Sequence, residues 1–253
     1  MNITQKVHNI QFSGMPLLWK PSISSNVQVF SSIPVQNDIF GTLTLGINKE
    51  SSVGNEFKIL LSNSFKKILG SEEIKILPEQ KIMMGKYIEV NPEYRKTGRK
   101  RGYNFGELLR LSSIMTMLKN NLDSINIFSK GSAVYFHSKY KFEPDMSDYF
   151  ERNKVLQAIM NDKSISFKDL AQRASKIYEQ AKDKGNRLEG EKLTQETNAL
   201  AKEYIDRVMQ EKNPNLRRDF PCGMDMKLSK ETILKNRDYF NTLFHKHGIN
   251  YEI

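Results

Sequence analysis

The chain has 253 residues, of which 38% are hydrophobic and 27% charged, and its formal net charge is +10. This composition predicts a folded, soluble protein and argues against a disordered one. No apolar run reaches the roughly 18 residues of a membrane span, MNITQKVHNIQFSG lacks the pattern of an export signal, and a single cysteine excludes an internal disulfide, so we expect a cytoplasmic location.

The first third of the chain is predicted to form two strands and then a helix. Residues 38–47 alternate between two faces, and VQVFSSI at 27–33 is similarly extended in character. Residues 55–69 instead repeat apolar side chains at a helical spacing, and Gly70 is expected to end that helix. The apolar positions are Phe57, Leu60, Leu61, Phe65, Ile68 and Leu69.

The middle third is predicted to alternate strands and helices. KIMMGKYIEV at 81–90 reads as a buried strand that Asn91-Pro92 ends, because proline cannot donate to a strand ladder. A helix with a wide leucine-rich stripe begins at Asn104 or Phe105. A short strand at 124–130 and a short helix at 132–140 follow, an order typical of α/β crossover units.

The last part of the chain, from about residue 146, differs in composition and pattern. It consists mostly of charged, helix-like segments, for which Ser166 and Thr194 are the expected caps. Turn residues and a predicted strand interrupt them near 222–229, and a last helix is expected from Lys230 to about His245. We therefore predict a core at 1–145 and a mainly helical appendage at 146–253, which returns a strand near 222–229 to the core.

The positive charge is concentrated between the strand at 81–90 and the helix after it. Residues 91–145 carry ten basic and five acidic side chains, and the excess of five equals one short cluster that no acid interrupts. The cluster consists of Arg95, Lys96, Arg99, Lys100 and Arg101. The charge is therefore a local feature of this loop.

A loop of this kind is suited to binding phosphate. A glycine-containing turn between a strand and a helix presents free backbone N–H groups and the positive end of the helix dipole. Gly98 and Gly102 lack the spacing of a P-loop, and Gly102 and Gly106 do not form the dinucleotide-binding fingerprint. Nucleic-acid contact and a plain solvated or sorting surface are the alternative interpretations, although only Tyr94 and Tyr103 flank the cations.

One arrangement of these residues resembles a known motif. Val90-x-Pro92, followed by Arg101-Gly102-x-x-x-Gly106, is similar to the acyl-coenzyme A binding motif of the GNAT acetyltransferase superfamily, and Ala133 to Phe142 resembles that family's closing segment. The resemblance covers roughly residues 81–143. It implies an α/β (α+β) fold: a mixed, mostly antiparallel central sheet flanked by helices, with a helical C-terminal appendage.

The resemblance also implies roles for particular residues. His137 would protonate the departing thiolate, with Tyr135 and Tyr140 as rivals, and Glu89 would serve as the base. The acetyl-CoA contacts would come from Ile88, Val90, Arg95, Arg99, Lys100, Arg101, Gly102, Asn104 and Gly106. The chain departs from the family pattern at three of its positions, where Asn104, His137 and Lys141 replace the usual residues, and its loop is longer than usual.

The expected activity is therefore transfer of an acetyl group from acetyl-CoA, as co-substrate, to a primary amine that the sequence does not identify. The alternative is a non-catalytic protein of the same fold, or a basic module that binds nucleic acid or other partners. The helices after residue 146 would form a lid, an acceptor-recognition element or a homodimer surface. No metal site is expected, since His245 and His247 have no cysteine near them in sequence to complete a ligand set.

Overall fold

A computed structural model of the chain describes residues 19–22, 25–30, 32–37, 41–53, 55–95, 104–162, 164–183, 190–211 and 219–253. The chain divides into two compact units, one formed by residues up to Ile125 together with Ile233–Ile253, the other by Asn126–Thr232. The first unit contains a two-stranded ribbon and an antiparallel sheet. No described helix is long and apolar enough to cross a membrane.

The ribbon pairs β1 (Trp19–Ser22) with β2 (Ser25–Phe30). The sheet of the first unit places its strands in chain order and pairs each antiparallel with the next, through β3, β4, β5, β6 and β7. Their bounds are Ser32–Asn37, Gly41–Val53, Glu56–Asn63, Ile68–Leu77 and Ile82–Val90. The predicted strand at 81–90 is thus confirmed, and the predicted mixed, mostly antiparallel sheet with flanking helices is the fold observed.

The helix predicted at 55–69 is wrong, because this segment forms β5, a turn and the start of β6. Phe57, Ile59 and Leu61 are buried at alternate positions, so the apolar residues satisfy the two-residue period of a strand as well as a helical one. The turn is made by Asn63, whose side-chain oxygen accepts from two backbone N–H groups, and by Lys66 at φ 60°. Phe65, which the helical pattern counted as apolar, is 88% exposed at its tip.

The helix predicted after the basic loop is confirmed as α1 (Phe105–Lys119). It is buried on all sides, since every residue from Phe105 to Met117 is buried. The sheet covers one side of it, with Leu69, Ile74 and Ile76 of β6 in the core. At its far end Asn120 exchanges two hydrogen bonds with the backbone of Gln28 in β2, at 2.7 and 2.8 Å. The helix is therefore the centre of the first unit and has no solvent face over that length.

The second unit combines strands with a group of helices. In it β8 (Ser124–Ser129), which begins in the first unit, is followed in sheet order by β10 (Met224–Ser229) and β9 (Glu143–Pro144). A 3-10 turn leads into α2 (Val134–Lys139), which is the short helix predicted at 132–140. The helices that follow are α3 (Tyr149–Met160), α4 (Lys168–Asp183) and α5 (Gly190–Gln210).

Three details of the predicted C-terminal helices need correction. Thr194 is not a cap but lies inside α5, where its hydroxyl donates to the Gly190 carbonyl at 2.6 Å. Ser166 lies in a 3-10 turn at Ile165–Phe167, before α4. The last helix is two helices, α6 (Lys230–Lys235) and α7 (Arg237–Lys246), separated at Asn236. Local caps are hard to predict because Ser and Thr also bond back to helix carbonyls.

Candidate functional site

The C-terminal half of β7 carries an irregularity that exposes it. Its register against β6 pairs Tyr87 with Glu73 and Gly85 with Ile74, so Lys86 is left over as a β-bulge. Lys86 and Tyr87 are consequently both exposed, although they are neighbours on one strand. Bulges re-aim the side chains that follow and are enriched beside binding sites. The strand is thus distorted just before the residues predicted to contact the coenzyme.

Beyond the bulge, the two predicted coenzyme contacts share a face of the sheet. Ile88 pairs with Glu72 and Val90 with Gly70, and cross-strand partners point to the same side. That side faces α1, because a Cβ on Gly70 would contact the Leu109 side chain. Ile88 and Val90 are half-buried, whereas Glu89, the predicted base, is exposed and lies on the other face.

After β7 the chain turns sharply at Asn91. The carbonyl of Asn91 accepts from the N–H groups of Tyr94 and Arg95, each at 3.0 Å, and residues 92–95 are helical. Lys67, beside the β5–β6 turn, pairs with Glu93 at 3.2 Å and lies 4.9 Å from the centre of the Tyr94 ring. Arg95 is exposed. The turn therefore holds the start of the basic loop at the end of β7.

Four of the predicted coenzyme contacts, Arg99, Lys100, Arg101 and Gly102, lie outside the described residues. The chain is described again from Asn104, which caps α1 from an extended backbone conformation. Its side-chain oxygen accepts from the Glu107 N–H at 3.2 Å. Asn104 thus has a capping role where the resembled motif carries a small residue, and Gly106 is buried in the first turn of the helix.

A charged cluster that the sequence did not reveal lies at this first turn. Glu107 is fully buried, and one of its oxygens, Oε1, accepts from Lys246 Nζ at 2.7 Å and lies 2.6 Å from Nε2 of the buried His247. The charge of Glu107, second to burial, raises the pKa of Tyr239 to about 12. No local signal could have found these contacts, since Lys246 and His247 are separated from Glu107 by 139 and 140 residues.

A second buried charge pair lies one turn further along α1. Arg110 Nη1 is 2.9 Å from Glu72 Oε1, and the two side chains are 2% and 0% exposed. Burial raises the pKa of Glu72, while the positive charge of Arg110 beside it acts against that rise. Glu72 pairs across the sheet with Ile88, so the pair joins α1 to the strand beside the predicted coenzyme contacts.

The predicted proton donors belong to the second unit. His137 is buried in α2 between aromatic rings, with centroids 5.0 Å away for Phe136 and 5.6 Å for Phe142. Tyr135 is half-buried, and burial, followed by the charges of Asp162 and Asp219, raises the pKa of its hydroxyl. Tyr135 therefore keeps its proton at neutral pH. The catalytic roles of His137, Tyr135 and Glu89 stay predictions.

The second unit also contains a carboxyl pair that the sequence did not indicate. Glu151 Oε1 accepts a hydrogen bond from the backbone N–H of Asp225. Burial, together with the charges of Asp225 and Asp148, raises the pKa of Glu151 to about 7. The pKa of Asp225 is raised too, by burial and by the neighbouring Asp145 and Asp148. Among the described residues no group of three His, Cys, Asp or Glu side chains is arranged to hold a metal ion.

This pair predicts a pH dependence of stability. The folded state holds the Glu151 proton more tightly than the unfolded chain, so the resulting stability is present below the unfolded pKa of about 4.3 and is lost as the pH rises through about 7. We expect the urea midpoint of unfolding to fall as the pH is raised from 5 to 8. The fall should be smaller in Glu151→Gln, which keeps an oxygen acceptor for the Asp225 N–H. An equal fall in both proteins would contradict the assignment.

Comparison with known proteins gives a structural likeness only. No family model matches the sequence, and neither does any curated protein. A GNAT-family acetyltransferase from Staphylococcus aureus Mu50 is 25% identical over 36% of this chain and 54% of its own, with a TM-score of 0.31. A single-site mutant of the spermidine N-acetyltransferase SpeG from Vibrio cholerae is 18% identical over 41% of this chain and 60% of its own, with a TM-score of 0.33.

A third similar structure is the PaiA N-acetyltransferase of Thermoplasma acidophilum, which was solved with coenzyme A. It is 16% identical over 38% of this chain and 56% of its own, with a TM-score of 0.30. The chain thus spans a little over half the length of these solved structures.

Proposed function

We propose that this chain is an N-acyltransferase that transfers an acetyl group from acetyl-CoA to a primary amine. The observation that carries the proposal is the placement of the motif. Val90 ends a bulged strand, Pro92 starts the turn after it, and Gly106 lies in the first turn of a capped helix. Strand, basic loop and helix start therefore follow one another as a phosphate-binding element requires.

In this proposal different groups of the chain bind different parts of the coenzyme. The strand end at Ile88 and Val90 would orient the pantetheine arm, while the N–H groups at the start of α1 and the loop cations would bind the pyrophosphate. Arg95 is the described cation of that loop, and its exposed side chain has access to a ligand. Arg99, Lys100 and Arg101 enter the proposal from the sequence alone.

The reaction would follow the usual course of acyl transfer. The amine nitrogen attacks the thioester carbonyl, a C–N bond forms, the C–S bond breaks, and the amine loses a proton as the sulfur gains one. We propose Glu89 as the group that accepts the amine proton, directly or through water. We propose His137 as the donor to sulfur, with Tyr135 as its rival, because imidazole and phenol side chains both serve as general acids in enzymes.

Titration calorimetry with acetyl-CoA tests the proposal. We expect the wild type to bind with a Kd on the order of micromolar. The Arg99→Ala, Arg101→Ala double variant should lose at least about tenfold in affinity, because it removes two of the cations proposed to bind the phosphates. The matched control is Lys235→Ala, Arg237→Ala, which removes two exposed cations elsewhere in the same unit and should bind as the wild type does.

Two results would contradict the proposal. The first is absence of binding at about 1 mM acetyl-CoA, which is the upper end of the usual range of Michaelis constants. The second is a double variant that binds acetyl-CoA normally but loses affinity for single-stranded oligonucleotides in a steeply salt-dependent manner. The second result would favour the nucleic-acid alternative for the same loop.

A further inference from the structure

The C-terminal helix α7 places a cation against the first turn of α1. Lys246 Nζ is 2.7 Å from Glu107 Oε1, yet 45% of the Lys246 side chain is exposed, whereas the Glu107 side chain is fully buried. His247 holds the same oxygen from the buried side at 2.6 Å. The cluster thus has an interior half, Glu107 and His247, and a half that reaches solvent, Lys246.

Glu107 is an unusual residue for a phosphate-binding turn. A carboxylate in the first turn of a helix is favourable for the helix itself, because it complements the dipole. For the same reason it would oppose a second anion at that position, and the repulsion would be strong where water is excluded. A cation beside it offsets that repulsion.

We infer that Lys246 and Glu107 together set the charge at the start of α1 and thereby the affinity of the proposed coenzyme site for its phosphates. The inference rests on the proposed function. It makes α7, which lies at the other end of the sequence, a positioning element of that site. His247 fixes the carboxylate in place, and Lys246 supplies the compensating charge.

The inference predicts that substitutions of Lys246 and of Glu107 change the affinity for coenzyme A in opposite directions. Lys246→Met leaves the buried carboxylate without its cation and should weaken coenzyme A binding by about three- to tenfold at low salt. Glu107→Gln removes the negative charge but keeps a side-chain oxygen for Lys246 and His247, so it should bind coenzyme A at least as tightly as the wild type. The double variant should return toward the wild-type affinity.

Further variants separate charge from packing. Lys246→Arg should retain the wild-type affinity because it restores the cation, and Lys235→Met is the control for loss of an exposed lysine on α6. The deficit of Lys246→Met should shrink in about 0.5 M salt, where the Debye length is only a few ångströms. Binding of pantetheine, which has no phosphate, should not change. Lys246→Gln replaces the methionine variant if its urea midpoint shows that it does not fold.

The outcomes distinguish this inference from the proposal on which it rests. A wild type that does not bind coenzyme A would overturn both. A wild type that binds, with Glu107→Gln and Lys246→Met weakened to the same extent and pantetheine binding weakened with them, would overturn the inference alone. In that case the cluster would only hold α7 in place. Opposite effects of the two substitutions, restored in the double variant, would establish the charge coupling.

Discussion

Arg110→Met is expected to destabilise the protein by about 3–5 kcal/mol, because it leaves Glu72 as an uncompensated charge in the core. Both side chains of this pair are almost fully buried, and they meet at 2.9 Å between β6 and α1. The loss should be larger at pH 8 than at pH 5, since a buried carboxyl without its partner takes up a proton more readily. Urea unfolding of the two proteins at both pH values measures the difference.

The double variant Glu72→Leu, Arg110→Met supplies the decisive comparison. Removing both charges removes the desolvation cost along with the attraction, so its stability should return to or exceed that of the wild type. The matched control is Lys58→Met, which breaks the partly exposed pair of Lys58 with Glu73, the neighbour of Glu72 on the same strand. We expect that change to cost less than about 1 kcal/mol. An Arg110→Met effect as small as the control would refute the assignment.

This pair also bears on the proposed function. Glu72 lies opposite Ile88, and Arg110 lies one turn beyond Glu107, so the pair fixes the distance and orientation between the strand end and the helix start. If the ion pair serves that geometry, the apolar double variant will be stable and yet bind coenzyme A less tightly. If it serves the core alone, affinity will be unchanged. Unfolding in urea and calorimetry with coenzyme A together distinguish these two outcomes, because the first combines a stable fold with a displaced helix and weaker binding.

The parts of the fold that could be predicted are those where local signals agree. For β7 and α1 an apolar run, a proline after the strand and a leucine stripe all point the same way. The helix prediction for residues 55–69 was wrong because their apolar positions fit the period of a strand as well as that of a helix. The turn that decides between the two depends on Asn63 and on Lys66 in a left-handed conformation. A lysine at such a position gives no sequence signal.

The candidate site likewise has features that local sequence signals predict and features that they do not. The strand end and the glycine of the helix start could be predicted from adjacent residues, whereas the buried groups around α1 could not. The leucine stripe predicts one apolar face, but Glu107, Arg110 and Thr116 are buried as well, because other parts of the chain cover the opposite side. Contacts such as that of Lys246 with Glu107 depend on the tertiary fold, which no local pattern specifies.

Gly70→Ala is expected to destabilise the protein by about 1–3 kcal/mol and to weaken coenzyme A binding by roughly tenfold. A Cβ at this position would lie 2.7 Å from the Glu89 carbonyl oxygen and 3.2 Å from Leu109 Cδ1. The first contact is with backbone and cannot be relieved by a rotamer change, so β7 must move at the residues next to Val90. The change therefore tests the strand end directly, through urea unfolding and calorimetry of one variant.

Gly190→Ala is the control, because nothing lies within 4 Å of the Cβ it would add at the start of α5. It should leave coenzyme A binding unchanged and keep or slightly raise stability, since alanine restricts the unfolded chain. A Gly70→Ala protein that is destabilised but binds coenzyme A normally would mean that the displaced backbone at Glu89 is not part of the ligand site. The strand end would then lose its proposed role, and binding would have to depend on the loop and α1 alone.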